Sequence, residues 1–115
     1  MATQVIERLI YVIDELLRLL SYDEYADAEI AWRVEWLHQI RRSLQEASSK
    51  ETMMEVVQEM RRVVRGGMGA FLDIYLSPKP ECGLSKTEMN ERFDQLTDEF
   101  YMLREQLAEE LEEKS

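Results

Sequence analysis

The last third of the chain constrains the fold most. Met89, Phe93, Leu96, Phe100, Leu103 and Leu107 are separated by alternating steps of four and three. Those steps return each side chain to one face of an α-helix, giving a heptad-like seam nearly three heptads long. A strand cannot use this pattern, because its side chains change face at every residue. At 1.5 Å per residue, a helix over 86–112 is about 40 Å long. One long helix with one apolar seam needs other helices to cover it.

Three further segments supply that cover. Over 3–20, Ile6, Leu9, Ile13, Leu16 and Leu20 recur at helical spacing, and Ile10 and Leu17 widen the stripe. A face that broad touches more than one neighbour. Over 23–47, with Ser21 or Asp23 as cap, the stripe is Ile30, Val34, Leu37, Ile40 and Leu44. Ser48 and Glu51 have the spacing of a capping box, which opens a third helix over 49–65 with Met53, Val57, Met60 and Val64 facing inward. So short a link predicts that helices two and three are antiparallel neighbours. Gly66-Gly67-Met68-Gly69 then supplies a left-handed helix cap.

Phe71, Leu72, Ile74, Tyr75 and Leu76 form a short apolar run closed by Pro78 and Pro80. It reads as one or two helical turns over 70–76, with an extended segment as the alternative. Residues 77–84 read as a loop, and Ser85 with Glu88 as a second capping box. The last helix is predicted to be about 40 Å long and the first about 27 Å. The acidic end Glu109-Glu110-Leu111-Glu112-Glu113, at the negative pole of its helix, is therefore expected to overhang the bundle and fray. The chain reads as one all-α domain over 1–115. It is a small four-helix bundle, with a short fifth helix after the glycine-rich turn as an optional addition.

Length supports a self-sufficient core. A 13.7 kDa chain is expected to fold to about 6,600 Å² of surface from roughly 20,000 Å², without metal or disulfide staples. Cys82 is the sole cysteine, which excludes an internal disulfide and a C-x-x-C site. It reads as a loop cysteine in a reducing cytoplasm. The apolar run from Leu9 to Ile13 is halted by Asp14 and Glu15, too short and too charged for a signal peptide or a membrane span. A cytoplasmic, bacterial-type protein with no membrane partner is the expectation.

Charge sorts the partners. Twenty-four acids against fourteen bases give a net charge of −10. A nucleic-acid binder needs a dominant basic face, so that class is set aside. Residues 85–115 alone carry ten acids and four bases, a net −6. Glu91, Asp94, Asp98, Glu105 and Glu109 can share one side of the last helix, either as a solvated face or as a surface for a basic partner. Arg41, Arg42, Arg61, Arg62 and Arg65 do not form one patch if helices two and three run antiparallel, and they read as complements to helix dipoles.

Catalytic chemistry finds little footing. Glu35 and His38 have the Glu-x-x-His spacing of di-iron bundles, but such a site needs two of these motifs and the chain has one histidine. The glycine segment lacks the Gly-Lys-Ser/Thr ending of a phosphate loop and follows a helix. No catalytic residue, metal ligand or cofactor is assigned. The aromatic residues are more informative, since Tyr25, Trp32 and Trp36 form a second stripe offset from the main one on helix two. Such a stripe is either core or a partner-facing anchor. Seven methionines give adaptable packing that suits either use.

Two segments together carry a resemblance. Ala31-Trp32-Arg33-Val34-Glu35-Trp36-Leu37 and Gly66-Gly67-Met68-Gly69-Ala70-Phe71-Leu72-Asp73, followed by Leu103-Arg104 in a closing helix, are similar to a family of small, poorly characterised bacterial helical proteins. That family has a tryptophan-bearing helix and a Gly-Gly-Met-Gly-Ser-Phe-Asn-Asp-like segment. Ala70 stands where the family has serine, and Leu72 where it has asparagine. The resemblance implies an all-helical protein without enzymatic activity, and by analogy of size and acidity an immunity-like or antitoxin-like one.

The functional expectation is a non-enzymatic inhibitor that occludes the surface of a basic protein partner, such as a toxin. Its candidate contact residues are Tyr25, Trp32, Trp36, Gly67, Met68, Asp94 and Asp98. The alternative is a structural or regulatory adaptor, a helical homodimer paired through the seam of the last helix.

Overall fold

The computed structural model describes residues 3–23, 28–65 and 76–113, with side chains at all of these but 28, 29, 62–65, 81 and 113. Four helices pack together: α1 (Thr3–Ser21), α2 (Ala28–Glu46), α3 (Lys50–Arg65) and α4 (Lys86–Glu113). No strand occurs among the described residues. The all-α four-helix architecture read from the periodicity is the one observed. The short helix placed at 70–76 falls, up to residue 75, outside the described residues, as do the start proposed for helix two at 24–27 and the glycine turn.

Each helix packs on the next, and α4 returns onto α1 in the most extensive of the four contacts. The direction of that pair follows from its ion pairs. Arg8 meets Glu99 and Glu15 meets Arg92, so the partner's number falls as α1 advances and the helices are antiparallel. The seam predicted on α4 is entirely buried, from Met89 through Leu107. On α1 the buried set is Val5, Leu9, Val12, Ile13, Leu16, Leu19 and Leu20, a stripe rotated towards α4 that leaves Ile6, Ile10 and Leu17 half-covered. Trp36 crosses the core to meet Phe100 edge-to-face, with ring centroids 6.3 Å apart.

Several local expectations need correction. The third helix is capped one residue later than the Ser48 and Glu51 spacing implies. The Ser49 N–H donates to Thr52 Oγ1 at 3.2 Å, and the Thr52 N–H donates to Ser49 Oγ at 3.1 Å. The Ser85 and Glu88 box forms as read, with reciprocal bonds of 3.0 and 3.1 Å. The end of α4 does not overhang, since Leu107, Ala108 and Leu111 are buried and α4 stays helical to Glu113. The length of α1 alone does not set the length of the bundle, because α3 also packs against α4. Arg41 and Arg61 do not merely complement helix dipoles, because each bonds an acid on another helix.

The segment before α4 is more ordered than a plain loop. Leu76 is fully buried, and its backbone is held by a buried side chain on α4. The Leu76 N–H donates to Asn90 Oδ1 at 2.8 Å, and Asn90 Nδ2 donates to Leu76 O and Lys86 O, each at 2.8 Å. Next along, the Ser77 N–H donates to Asp23 Oδ1 at 2.8 Å and the Lys79 N–H donates to Tyr22 O at 2.8 Å. Residues 76–79 are thus strapped between the end of α1 and the start of α4. A 3-10 turn, Pro80–Cys82, follows, and Gly83 closes it at φ +79°, a conformation that glycine adopts without strain.

Candidate partner-binding face

The outer side of α4 follows from its inner side. Once 89, 93, 96, 100, 103 and 107 face the core, the opposite stripe is 91, 95, 98, 102, 105 and 109. Glu91, Gln95, Asp98, Met102 and Glu109 are exposed, as is Asp94 beside them. Met102 stands out with 60% of its surface in solvent, four residues after Asp98 and three before Glu105. A large apolar side chain in an acidic stripe is what a partner-binding anchor looks like, though a single exposed methionine is ordinary by itself.

A second exposed apolar group lies across the α1/α4 seam. Tyr11, 44% exposed, follows Arg8 by three residues and precedes Glu15 by four, and both of those charges bond across to α4. Arg8 covers part of the Tyr11 ring, its guanidinium carbon 4.7 Å from the centroid. Tyr11 and Met102 therefore flank one ion-paired seam. The charges of that seam cancel locally: Arg18 chiefly, and Arg92 after it, hold the Glu15 carboxyl below its usual range.

On the same helix, Glu105 takes bonds from Arg61 of α3 at 2.6 and 3.1 Å and from Arg104 at 2.7 Å. Those guanidinium groups, Arg61 first, depress the Glu105 carboxyl to about 2. Glu105 thus serves the α3/α4 contact, whereas Asp94, Asp98, Glu91 and Glu109 remain on the solvent side. The acidic stripe keeps a negative face because its exposed members, Glu91, Asp94, Asp98 and Glu109, take part in none of the ion pairs among the described residues.

The sequence-nominated residues separate. Asp94 and Asp98 lie together on the exposed face of α4. Trp36 is corrected to a core residue, 7% exposed, because its ring reaches across the core to meet Phe100 of α4. Trp32 is half-buried, and the guanidinium carbon of Arg33 sits 4.8 Å from its ring centroid. Tyr25, Gly67 and Met68 lie outside the described residues. Glu35 and His38 are both exposed, and no cluster of three or more His, Cys, Asp or Glu side chains is placed to hold a metal among the described residues.

Sequence reasoning missed Met102, Tyr11 and the buried Arg33. The first two were findable by elimination, since each is a large apolar residue opposite its helix's own stripe. Fold and surface together define a small acidic four-helix bundle with an acidic, methionine-bearing helix face. No protein-family profile, curated protein or solved structure matches the chain. No helix among the described residues is long and apolar enough to cross a membrane.

Proposed function

We propose that this protein is a non-enzymatic, immunity-like or antitoxin-like inhibitor that docks a basic protein partner on the outer face of α4 and occludes it. The observation that carries the reading is Met102 standing exposed in the acid stripe of Glu91, Asp94, Asp98 and Glu109. An apolar anchor ringed by one sign of charge suits a partner with the opposite charge, with steering from the acids and contact energy from the methionine. Tyr11 extends the anchor across the seam, and a cytoplasmic, bacterial setting belongs to the same proposal.

The homodimeric adaptor fits less well. The α4 seam assigned to it lies inside the protomer, so a dimer through that seam has to open the bundle. Outer faces dominated by acids repel one another at a net charge of −10.

The test is capture of the tagged protein from its host with mass spectrometry and solution-mass determination of the eluate. The expected result is a stoichiometric basic partner that is lost with Asp94→Lys plus Asp98→Lys and weakened by Met102→Ala, while far-UV circular dichroism stays unchanged. A purified partner should lose its own activity on addition of the wild-type protein. Recovery of only a self-associated species would move the assignment to the adaptor.

A further inference from the structure

The methionines divide sharply by exposure. Met53, Met60 and Met89 are buried, with at most 1% of their surface in solvent, and Met54 is half-buried against the core. Met102 has 60% of its surface in solvent. Met1 and Met68 lie outside the described residues. The division follows from helix geometry. Met89 belongs to the buried row of α4, whereas Met102, further along the same helix, has turned to the opposite side.

A thioether sulfur in solvent is open to two-electron oxidation, and a buried one is reached only when the structure opens around it. Hydrogen peroxide is neutral, so the negative field around Asp98 and Glu109 does not repel it. A sulfur lone pair attacks one peroxide oxygen, and the S–O bond forms as the O–O bond breaks. The departing hydroxide takes the proton from the transferred oxygen and leaves as water. Sulfur is oxidised by two electrons, and the peroxide is reduced. The competing group is Cys82, the sole cysteine. It is half-buried, and without a second cysteine a sulfenic acid there has no disulfide to form within the chain.

We infer that Met102 is a redox-modification site: peroxide converts it to the sulfoxide in the folded bundle ahead of Met53, Met54, Met60 and Met89, and the product withdraws the apolar anchor from the acid face of α4. A sulfoxide is polar and accepts hydrogen bonds. On a side chain already in water it disturbs no packing, but it removes the apolar contact a partner would cover. In the core the same product would disrupt the bundle, so selective oxidation of Met102 is the case that leaves the helices intact. The chemical half of the inference stands on exposure alone. Its regulatory half rests on the docking role proposed for α4.

The experiment treats the full chain with graded hydrogen peroxide, quenches it, and reads sulfoxide by mass spectrometry of tryptic peptides. Met102 is the one methionine of peptide 93–104 and Met89 of peptide 87–92, so two methionines of one helix report separately. Met102 should oxidise about tenfold or more faster than Met89, and the two rates should converge in concentrated urea. Circular dichroism and melting temperature should be unchanged at the dose that converts Met102. Equal rates in the folded chain, or unfolding before Met102 is converted, would overturn the site. The treated protein then serves as bait in the host lysate. It should recover the basic partner no better than untreated Met102→Ala, and Cys82→Ser should respond as wild type. A loss of capture that Cys82→Ser abolishes would overturn the regulatory role. So would undiminished capture by treated protein when Met102→Ala captures weakly, and that result leaves the docking role standing. If neither peroxide nor Met102→Ala weakens capture, the docking role fails and the regulatory role with it.

Discussion

Asn90 offers the sharpest test of how the chain is tied together. Its side chain is the partner of both the N–H and the C=O of Leu76, a residue with no exposed surface. Asn90→Ala leaves two buried backbone groups without their bonds. Each such group costs about 1–3 kcal/mol. Lys86 O adds little, because as a helix carbonyl it keeps its bond from four residues on. Water reaching the vacated space lowers the sum, and a total loss of about 2–4 kcal/mol is expected.

Urea unfolding followed by circular dichroism measures that loss, and amide exchange at Leu76 locates it. Asn90→Asp sharpens the test. Its carboxylate would face the oxygens of Leu76 and Lys86, where the amide now donates, so the native state favours the protonated acid and raises its pKa above the unfolded value. The destabilisation should therefore be greatest at neutral pH and ease as pH falls through that raised value. A loss below about 0.5 kcal/mol for Asn90→Ala, with an unchanged denaturant slope, would refute the strap as a stabilising element.

Other perturbations test other links. Trp36→Ala should cost about 3–5 kcal/mol in urea unfolding, because a buried indole leaves a core cavity against Phe100, and a cost under about 1 kcal/mol would return Trp36 to the surface. Thr97→Val should stabilise by about 1 kcal/mol, since the buried Thr97 hydroxyl has no hydrogen-bond partner among the described residues; destabilisation would mean that the hydroxyl is bonded. The Glu105 carboxyl is depressed from 4.5 to about 2, so its contribution is present above the unfolded value and is lost as pH falls through the folded one. Arg61→Met should flatten the stability slope between those values, and at neutral pH should cost only about 1 kcal/mol because the half-exposed pair is screened by solvent. An unchanged acid limb would show that Arg61 is not the cause.

The fold was legible because its information is periodic. The α4 seam names its own buried face, and one glance at its spacing excludes strands. What periodicity alone misplaces is the centre of a broad stripe. Val5, Val12 and Leu19 were overlooked on α1 because the stripe was centred on Ile6 and Leu9, and only the docking of α4 along Arg8 and Glu15 rotates it. Arg33 shows a different limit. It occupies the 30, 33, 37, 40, 44 row of α2, yet an arginine on an apolar row is discounted because burying a charge is costly, and Val34 was chosen in its place. The Asn90 bonds to Leu76 join residues fourteen apart through a backbone that carries no side-chain pattern. The acid face was readable in kind, through Asp94 and Asp98. Its anchor, Met102, was readable only by elimination, as the large apolar residue opposite the α4 seam.

The distribution of charge gives the functional proposal a test that stability cannot mimic. Arg8, Arg18, Arg41, Arg61, Arg92 and Arg104 are all engaged with carboxylates of α1 or α4. The excess acid is consequently displayed outward, on the face that Met102 interrupts. Added salt shortens the screening length from about 10 Å at 0.1 M to about 3 Å at 1 M. For a partner steered by that face, the association rate should fall about tenfold or more over this range while dissociation, governed by Met102 and its close contacts, changes little. Salt acts differently on the bundle itself, weakening the ion-paired seams but also relieving the repulsion of a net −10 chain, so the melting temperature should move only slightly. A stopped-flow salt series run beside thermal melts separates these effects. If the association rate is flat in salt, the acids are a solvated face and Met102 is an isolated exposed side chain; if it falls while the melts hold, the outer face of α4 is the docking surface.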